Sequence, residues 1–181
     1  THPSSEGTAL SLAAPDHPVL TTDGGKTWRY SGNGYTGGAP RFGNHSVGWN
    51  DARRFAVFLD DYGVYLTENG GDTFRAIKLP HYKGREDSGI GAADPTPGSK
   101  VMVAIVGEAL TGGQPVPVIT HDGATWALLE RDAAGNSMED DYQFSTVAFN
   151  PQNPNTIYAK RFRSMDKGRT WTLLPRSINA L

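Results

Sequence analysis

Carboxylates and aromatic rings gather in the same short stretches of this chain, between runs of β-branched and aromatic residues. Asp61 stands in Asp60-Asp61-Tyr62, Glu86 in His81-Tyr82-Lys83-Gly84-Arg85-Glu86-Asp87, and Asp141 in Glu139-Asp140-Asp141-Tyr142. Hydrolysis of a glycosidic bond needs two carboxyl groups facing each other across it, one of them with a raised pKa. Asp61, Glu86 and Asp141 are the candidates for that pair, set against the plainer reading that adjacent acids such as Asp60-Asp61 are solvated. Tyr35, Tyr62, Tyr82 and Tyr142, with Arg41 and Arg85, are the candidate ligand-binding residues. Aromatic planes stack on sugar rings while charged groups hydrogen-bond hydroxyls. Surface loops are rich in Tyr and polar residues for many reasons, so the composition permits binding without specifying it.

Other chemistries find no support. His2, His17, His45, His81 and His121 show no metal-ligand spacing, and neither a metal nor another cofactor is expected. Gly24-Gly25, Gly37-Gly38, Gly70-Gly71 and Gly112-Gly113 lack the strand-to-helix context of a phosphate cradle. Cysteine is absent, so disulfides and thiol chemistry are out. A net charge of −2 and a pI near 6.2 argue against a nucleic-acid partner, which requires a concentrated basic face. Arg53-Arg54 and Arg161-Phe162-Arg163 read as solvated or intersheet residues. The longest apolar run, Val101 to Val106, is far too short to span a bilayer. The chain begins at Thr1 with no visible signal peptide, which leads us to expect processing or truncation upstream. Asn44-His45-Ser46 fits a glycosylation sequon.

The elements that position these side chains announce themselves by repetition. Thr21-Thr22-Asp23-Gly24-Gly25-Lys26-Thr27-Trp28 returns as Ser164-Met165-Asp166-Lys167-Gly168-Arg169-Thr170-Trp171, and more loosely as Thr67-Glu68-Asn69-Gly70-Gly71-Asp72-Thr73-Phe74 and Thr120-His121-Asp122-Gly123-Ala124-Thr125-Trp126. Each copy reads as a tight turn between two strands. The Asp or Asn side chain accepts hydrogen bonds from the turn's own N–H groups, and Gly supplies positive φ. The aromatic starts the next strand and is expected to turn inward as an apolar plug. Positions 23, 69, 122 and 166 lie 46, 53 and 44 residues apart, the interval of a four-stranded propeller blade.

These motifs resemble the Asp-box (bacterial neuraminidase) repeat of sialidases, xyloglucan-cleaving endoglucanases, sortilin-type receptors and photosystem assembly factors. Asn150-Pro151-Gln152-Asn153-Pro154-Asn155-Thr156-Ile157-Tyr158 is similar to the segment that joins the first two strands of a blade in those families, and Asp94-Pro95-Thr96-Pro97-Gly98-Ser99 fills the same slot one blade earlier. The resemblance implies an all-β fold: a β-propeller of about four four-stranded antiparallel blades, part of a six- to eight-bladed ring. The whole of 1–181 is then one segment, with blades at about 8–31, 46–79, 89–130 and 144–175. The first of these lacks its opening strand, so the chain is expected to start inside a blade. Partners follow as the remaining blades or a partner chain, with a glycan as ligand.

In such a blade the repeat turns share one rim with the turns joining first and second strands. The other rim, where propeller ligands usually bind, receives the links 31–45, 80–88 and 130–143 and the turns 14–17, 60–62 and 107–115. All the candidate acids and tyrosines fall there. The structural residues of the repeat, Asp23, Trp28, Asn69, Phe74, Asp122, Trp126, Asp166 and Trp171, fall elsewhere. The Arg-triad segment of sialidases and the Asp-Ile-Gly-Gly-like acid of the xyloglucan enzymes are both absent, so catalytic residues do not transfer from either family. The first functional reading is a non-catalytic platform for extracellular glycan or protein ligands, secreted, cell-surface or virion-associated. The competing reading is a fragment of a glycoside hydrolase using paired rim carboxylates, and the cysteine-free composition also permits an intracellular assembly factor.

Overall fold

Two kinds of apolar run divide the strands by how many neighbours each must have. Phe55–Leu59 and Met102–Val106 are buried at every position, as strands covered on both faces are, whereas Ile157–Ala159 alternates buried and exposed residues, as strands covered on one face do. The computed structural model describes residues 6–12, 18–36, 45–59, 63–82, 90–107, 114–139 and 146–175. Within them fifteen strands form four antiparallel sheets, and no helix is described.

The first sheet holds β1 (Ala9–Ser11), β2 (Val19–Thr21) and β3 (Arg29–Tyr30), three strands as the sequence leads one to expect. The second holds β4 (His45–Trp49), β5 (Phe55–Leu59), β6 (Gly63–Thr67) and β7 (Arg75–Ile77). The third holds β8 (Gly91–Ala93), β9 (Met102–Val106), β10 (Val116–Thr120) and β11 (Trp126–Leu128). The fourth holds β12 (Val147–Phe149), β13 (Ile157–Ala159), β14 (Phe162–Ser164) and β15 (Thr172–Leu173). Strand order follows chain order in each sheet, so every sheet is a simple meander.

The core is three seams between successive sheets. Leu12, Leu20 and Tyr35 meet Trp49, Phe55, Val57, Leu59, Tyr65 and Phe74 in the first. Ala56, Phe58, Val64, Leu66 and Ile77 meet Met102, Ala104, Val106, Val116 and Val118 in the second, with Trp126 and Leu128 against them. Val101, Val103 and Ile119 meet Ile157, Ala159, Phe162 and Trp171 in the third. Burying each such side chain contributes about 1.5–3 kcal/mol, so the seams hold the array together.

Close backbone approach at the first strands explains one glycine. A Cβ on Gly48 would stand 2.5 Å from the Ala93 amide nitrogen of the next sheet. β4 packs on β8, and β8 on β12, so these first strands stack on one another.

Polar ties cross the seams at their edges. Arg29 pairs with Asp72 at 2.9 Å and donates to the Gly70 carbonyl at 2.8 Å. Asn50 donates to the Asp94 carbonyl at 2.6 Å, and Arg54 to the Ser99 carbonyl at 3.0 Å. Of the Arg53-Arg54 pair, then, Arg54 is the intersheet residue and Arg53 the solvated one. Lys160 reaches the Pro115 carbonyl at 2.5 Å.

Candidate functional site

Each of the four repeat turns is built by the same pair of side chains. In the first, the Thr21 hydroxyl donates to Asp23 Oδ1 at 2.9 Å and accepts from the Gly25 amide at 2.9 Å. Asp23 then accepts from the Thr27 amide at 2.9 Å and from the Thr27 hydroxyl at 2.6 Å. The fourth turn repeats this with Ser164, Asp166, Gly168 and Thr170. In the second, Asn69 accepts from the Thr73 amide through its oxygen and donates to the Thr73 hydroxyl through its nitrogen, so one bond reverses direction. In the third, Asp122 accepts from the Ala124 and Thr125 amides.

The hydroxyl residue two places before the acid is a partner that reading the acids alone misses. Thr21, Thr67, Thr120 and Ser164 are all buried, each bridging acid and turn amide. Its signal was present in the sequence: every copy opens on Ser or Thr.

These bonds hold the acids ionised. Donation from the Thr27 hydroxyl and amide lowers Asp23 to about 2, and the equivalent donors on Thr170 lower Asp166 to about 2. The Ala124 and Thr125 amides push Asp122 down as well. Asp132 is lowered by the Asn136 side chain and by backbone amides. For Asp94 burial raises the pKa, but donors from Thr96, Ser99 and Lys167 outweigh it and the net direction is down. Every described carboxylate with a shifted pKa is therefore shifted away from what a general acid requires.

The repeat turns and the turns joining first and second strands do share a rim. Gly24 N donates to Gly7 O, Gly70 N to Arg53 O, and Lys167 N to Asn155 O. Lys167 has φ near 59° at the place where Gly24 and Gly70 sit in other copies, a conformation costing about 1–3 kcal/mol for a side chain. Its ammonium meets the buried Asp94 carboxylate of the third sheet at 3.0 Å, which offsets that cost.

The aromatics do not behave alike. Phe74 and Trp171 are buried and Trp126 half-buried, as expected of plugs. Trp28 corrects the expectation: it is 48 % exposed. The reason is positional, because each plug fills a seam with the preceding sheet, and no described sheet precedes the first.

The sequence-predicted ligand residues divide. Tyr35 and Tyr82 are each only 7 % exposed. Tyr35 lies 4.7 Å from Tyr65 and edge-on to Phe74 at 6.1 Å, while Tyr82 belongs to the second seam. Both rings therefore sit within seams and present little surface to a ligand. Asp61, Glu86, Asp141, Arg41, Tyr62, Arg85 and Tyr142 lie outside the described residues, as does Asn44 of the sequon. Within each meander sheet the described strand ends that flank those stretches lie at the end opposite the repeat turn.

A shallow depression on the described surface is lined by Leu66, Glu68, Asn69, Thr73, Phe74 and Arg75. Its one carboxylate, Glu68, is already engaged by Arg54 at 3.2 Å. No group of three or more His, Cys, Asp or Glu suited to a metal ion occurs among the described residues, and no helix long and apolar enough to cross a membrane occurs among them.

No family model matches the chain, and no curated protein matches it closely. Solved structures do. An ancestral GH74 enzyme superposes with a TM-score of 0.69 at 17 % identity, over 100 % of this chain and 24 % of that one. The GH74 enzyme of Niastella koreensis gives 0.57 at 17 % identity, over 92 % of this chain and 27 % of its own. The GH74 xyloglucanase of Xanthomonas campestris gives 0.57 at 16 %, over 93 % and 28 %. The chain thus spans about a quarter of each neighbour's length. Likeness at these identities is likeness of fold, and with the four meander sheets it makes the chain part of a β-propeller.

Proposed function

We propose that this chain is a non-catalytic Asp-box platform: a rigid stack of blades that presents the rim opposite its repeat turns to an extracellular glycan. The carrying observation is the fate of five described acids. Asp23, Asp94, Asp122, Asp132 and Asp166 all have lowered pKa values because hydrogen-bond donors surround them, which makes them fasteners of turns. Sheets tied at one rim leave the opposite rim to vary, as binding surfaces on rigid scaffolds do. Calorimetric titration with xyloglucan oligosaccharides, in parallel with a reducing-sugar assay on xyloglucan, tests this. Binding without release of reducing ends is the expected outcome. Failure to bind any β-glucan oligosaccharide would remove the glycan from the proposal.

The likeness to GH74 enzymes over the whole chain supports a second reading, a glycoside hydrolase fragment in which two of Asp61, Glu86 and Asp141 act together. Reducing-sugar release that disappears in Asp61→Asn or Asp141→Asn would favour it over the platform.

A further inference from the structure

One reactive dipeptide occurs twice in this chain, in opposite environments, and the difference marks a site of covalent change. Asn-Gly stands at Asn33-Gly34 and again at Asn69-Gly70. In this pair the glycine nitrogen can attack the side-chain carbonyl carbon of the asparagine, because glycine carries no side chain to shield the approach. Attack needs a carboxamide free to rotate, a glycine N–H free to be lost, and access for water. Asn69-Gly70 lacks the first two. Asn69 Oδ1 accepts from the Thr73 amide at 3.0 Å and its Nδ2 donates to the Thr73 hydroxyl at 2.9 Å, while the Gly70 amide donates to the Arg53 carbonyl at 2.7 Å.

Asn33-Gly34 meets all three conditions. Both residues are exposed, and neither the Asn33 carboxamide nor the Gly34 amide makes a hydrogen bond among the described residues. The Asn33 carbonyl, by contrast, accepts from the Phe74 amide at 2.7 Å. That bond draws electrons out of the Asn33–Gly34 peptide and makes its N–H easier to lose, as hydrogen bonds in a chain polarise one another. The exposure belongs to the position in the blade. The link into the fourth sheet runs beside Trp171 in the same way, Ala133 N donating to Trp171 O, and residues 133–137 are exposed there although two further sheets precede the third.

We propose that Asn33 is a deamidation site of the folded protein, and that the second repeat turn protects Asn69 from the same reaction. Gly34 N gives up its proton and bonds to Asn33 Cγ. The Cγ–Nδ2 bond breaks, and the displaced nitrogen takes up a proton and leaves as ammonia. The succinimide ring so formed adds a water molecule from solvent. Opening at Cγ yields aspartate, and opening at the main-chain carbonyl carbon yields isoaspartate, whose backbone is longer by a methylene. Either product adds a negative charge. Isoaspartate also displaces the carbonyl that holds the Phe74 amide and the glycine packed on the Phe74 carbonyl, where a Cβ on Gly34 would strike the oxygen. The change therefore loosens the first seam at Phe74, beside Tyr35.

Trypsin separates the two sites, releasing Asn33 in the peptide 30–41 and Asn69 in the peptide 55–75, so mass spectrometry reads both in one sample. The chain is incubated at mildly alkaline pH, folded or in guanidinium, and digested alongside unincubated protein, each site being compared with its own unfolded rate. Folded, Asn33 should convert within about threefold of that rate, while Asn69 should slow by about tenfold or more, the factor that a net hydrogen bond provides. Thr73→Ala frees the Asn69 carboxamide from the hydroxyl and should raise its rate by about threefold or more, with Asn33 unchanged. If the folded chain slows Asn33 as much as Asn69, or leaves Asn69 unslowed, the proposal falls. Incubated protein should also unfold at lower denaturant than fresh protein. Incubated Asn33→Gln should not, because the longer side chain closes the ring far more slowly. Equal losses in the two would overturn the effect on the first seam.

Discussion

The third and fourth repeat turns differ by one residue, and their tryptophans end in different environments. In the fourth, four residues separate Asp166 from Trp171; the indole is 3 % exposed and its Nε1 donates to the Gly168 carbonyl at 3.0 Å. In the third, three residues separate Asp122 from Trp126; the indole is half-buried and its buried Nε1 has no hydrogen-bond partner among the described residues. The hydroxyl and acid bonds survive the shortening intact. Turn chemistry is therefore set by Ser/Thr and Asp, whereas loop length decides whether the plug is seated and its N–H satisfied. These are separable functions of one motif.

The comparison breaks most visibly through the plugs themselves. Trp171→Ala should cost about 3–5 kcal/mol in chemical unfolding, the range for emptying a buried aromatic site. Trp126→Ala should cost less, because its ring buries less and its unpaired N–H is removed with it. Trp28→Ala should stay within about 0.5 kcal/mol, as substitutions at exposed sites do. Equal losses at 171 and 126 would show that seating does not depend on turn length.

Lengthening the third turn sharpens the same point from the other side. Inserting one glycine between Gly123 and Ala124 restores the spacing of the fourth turn and gives Trp126 Nε1 a carbonyl to reach. A gain of about 1 kcal/mol is expected, the usual worth of satisfying a buried donor. Destabilisation, with the Trp126 Nε1 proton still exchanging like an unbonded one in NMR, would mean that the fourth turn owes its geometry to something other than length.

How much of this was legible beforehand follows from the range of each cause. The turns and sheets were readable because their determinants are contiguous: Asp23 and Thr27 lie within one turn, and strands such as Val116–Thr120 and Gly63–Thr67 fall where their alternation places them. The fate of Trp28 was not readable from its own neighbourhood, since covering it requires a sheet about 45 residues away, at the interval of a propeller repeat. Tyr35 and Tyr82 looked like rim aromatics because they sit in polar links, yet packing against Tyr65, Phe74 and the second seam draws their rings inside. Hydroxyl partners escaped notice because Ser and Thr are common at strand ends, and only the hydrogen bonds distinguish a bridge from a filler.

The smallest expected effect separates the second turn from the fourth by charge. Asn69 and Asp166 make equivalent bonds to the amide four residues on, but only Asp166 titrates. Its pKa is lowered from 3.8 to about 2, so folding favours the ionised form. The resulting stability is present in full above the unfolded pKa and is lost as pH falls from about 4 through 2. Because the carboxylate is partly open to water, salt and solvent screen the effect, and it is expected only as a shift in the acid limb of the melting curve. Asp166→Asn should flatten that limb. Asn69→Asp should steepen it, since the Thr73 hydroxyl then turns to donate as Thr27 and Thr170 do. Thermal unfolding followed between about pH 6 and pH 2, where such carboxylates titrate, gives the reading directly. Parallel curves for the two variants and the parent would mean that the turn holds its acid by shape alone, with charge contributing nothing to the hairpin.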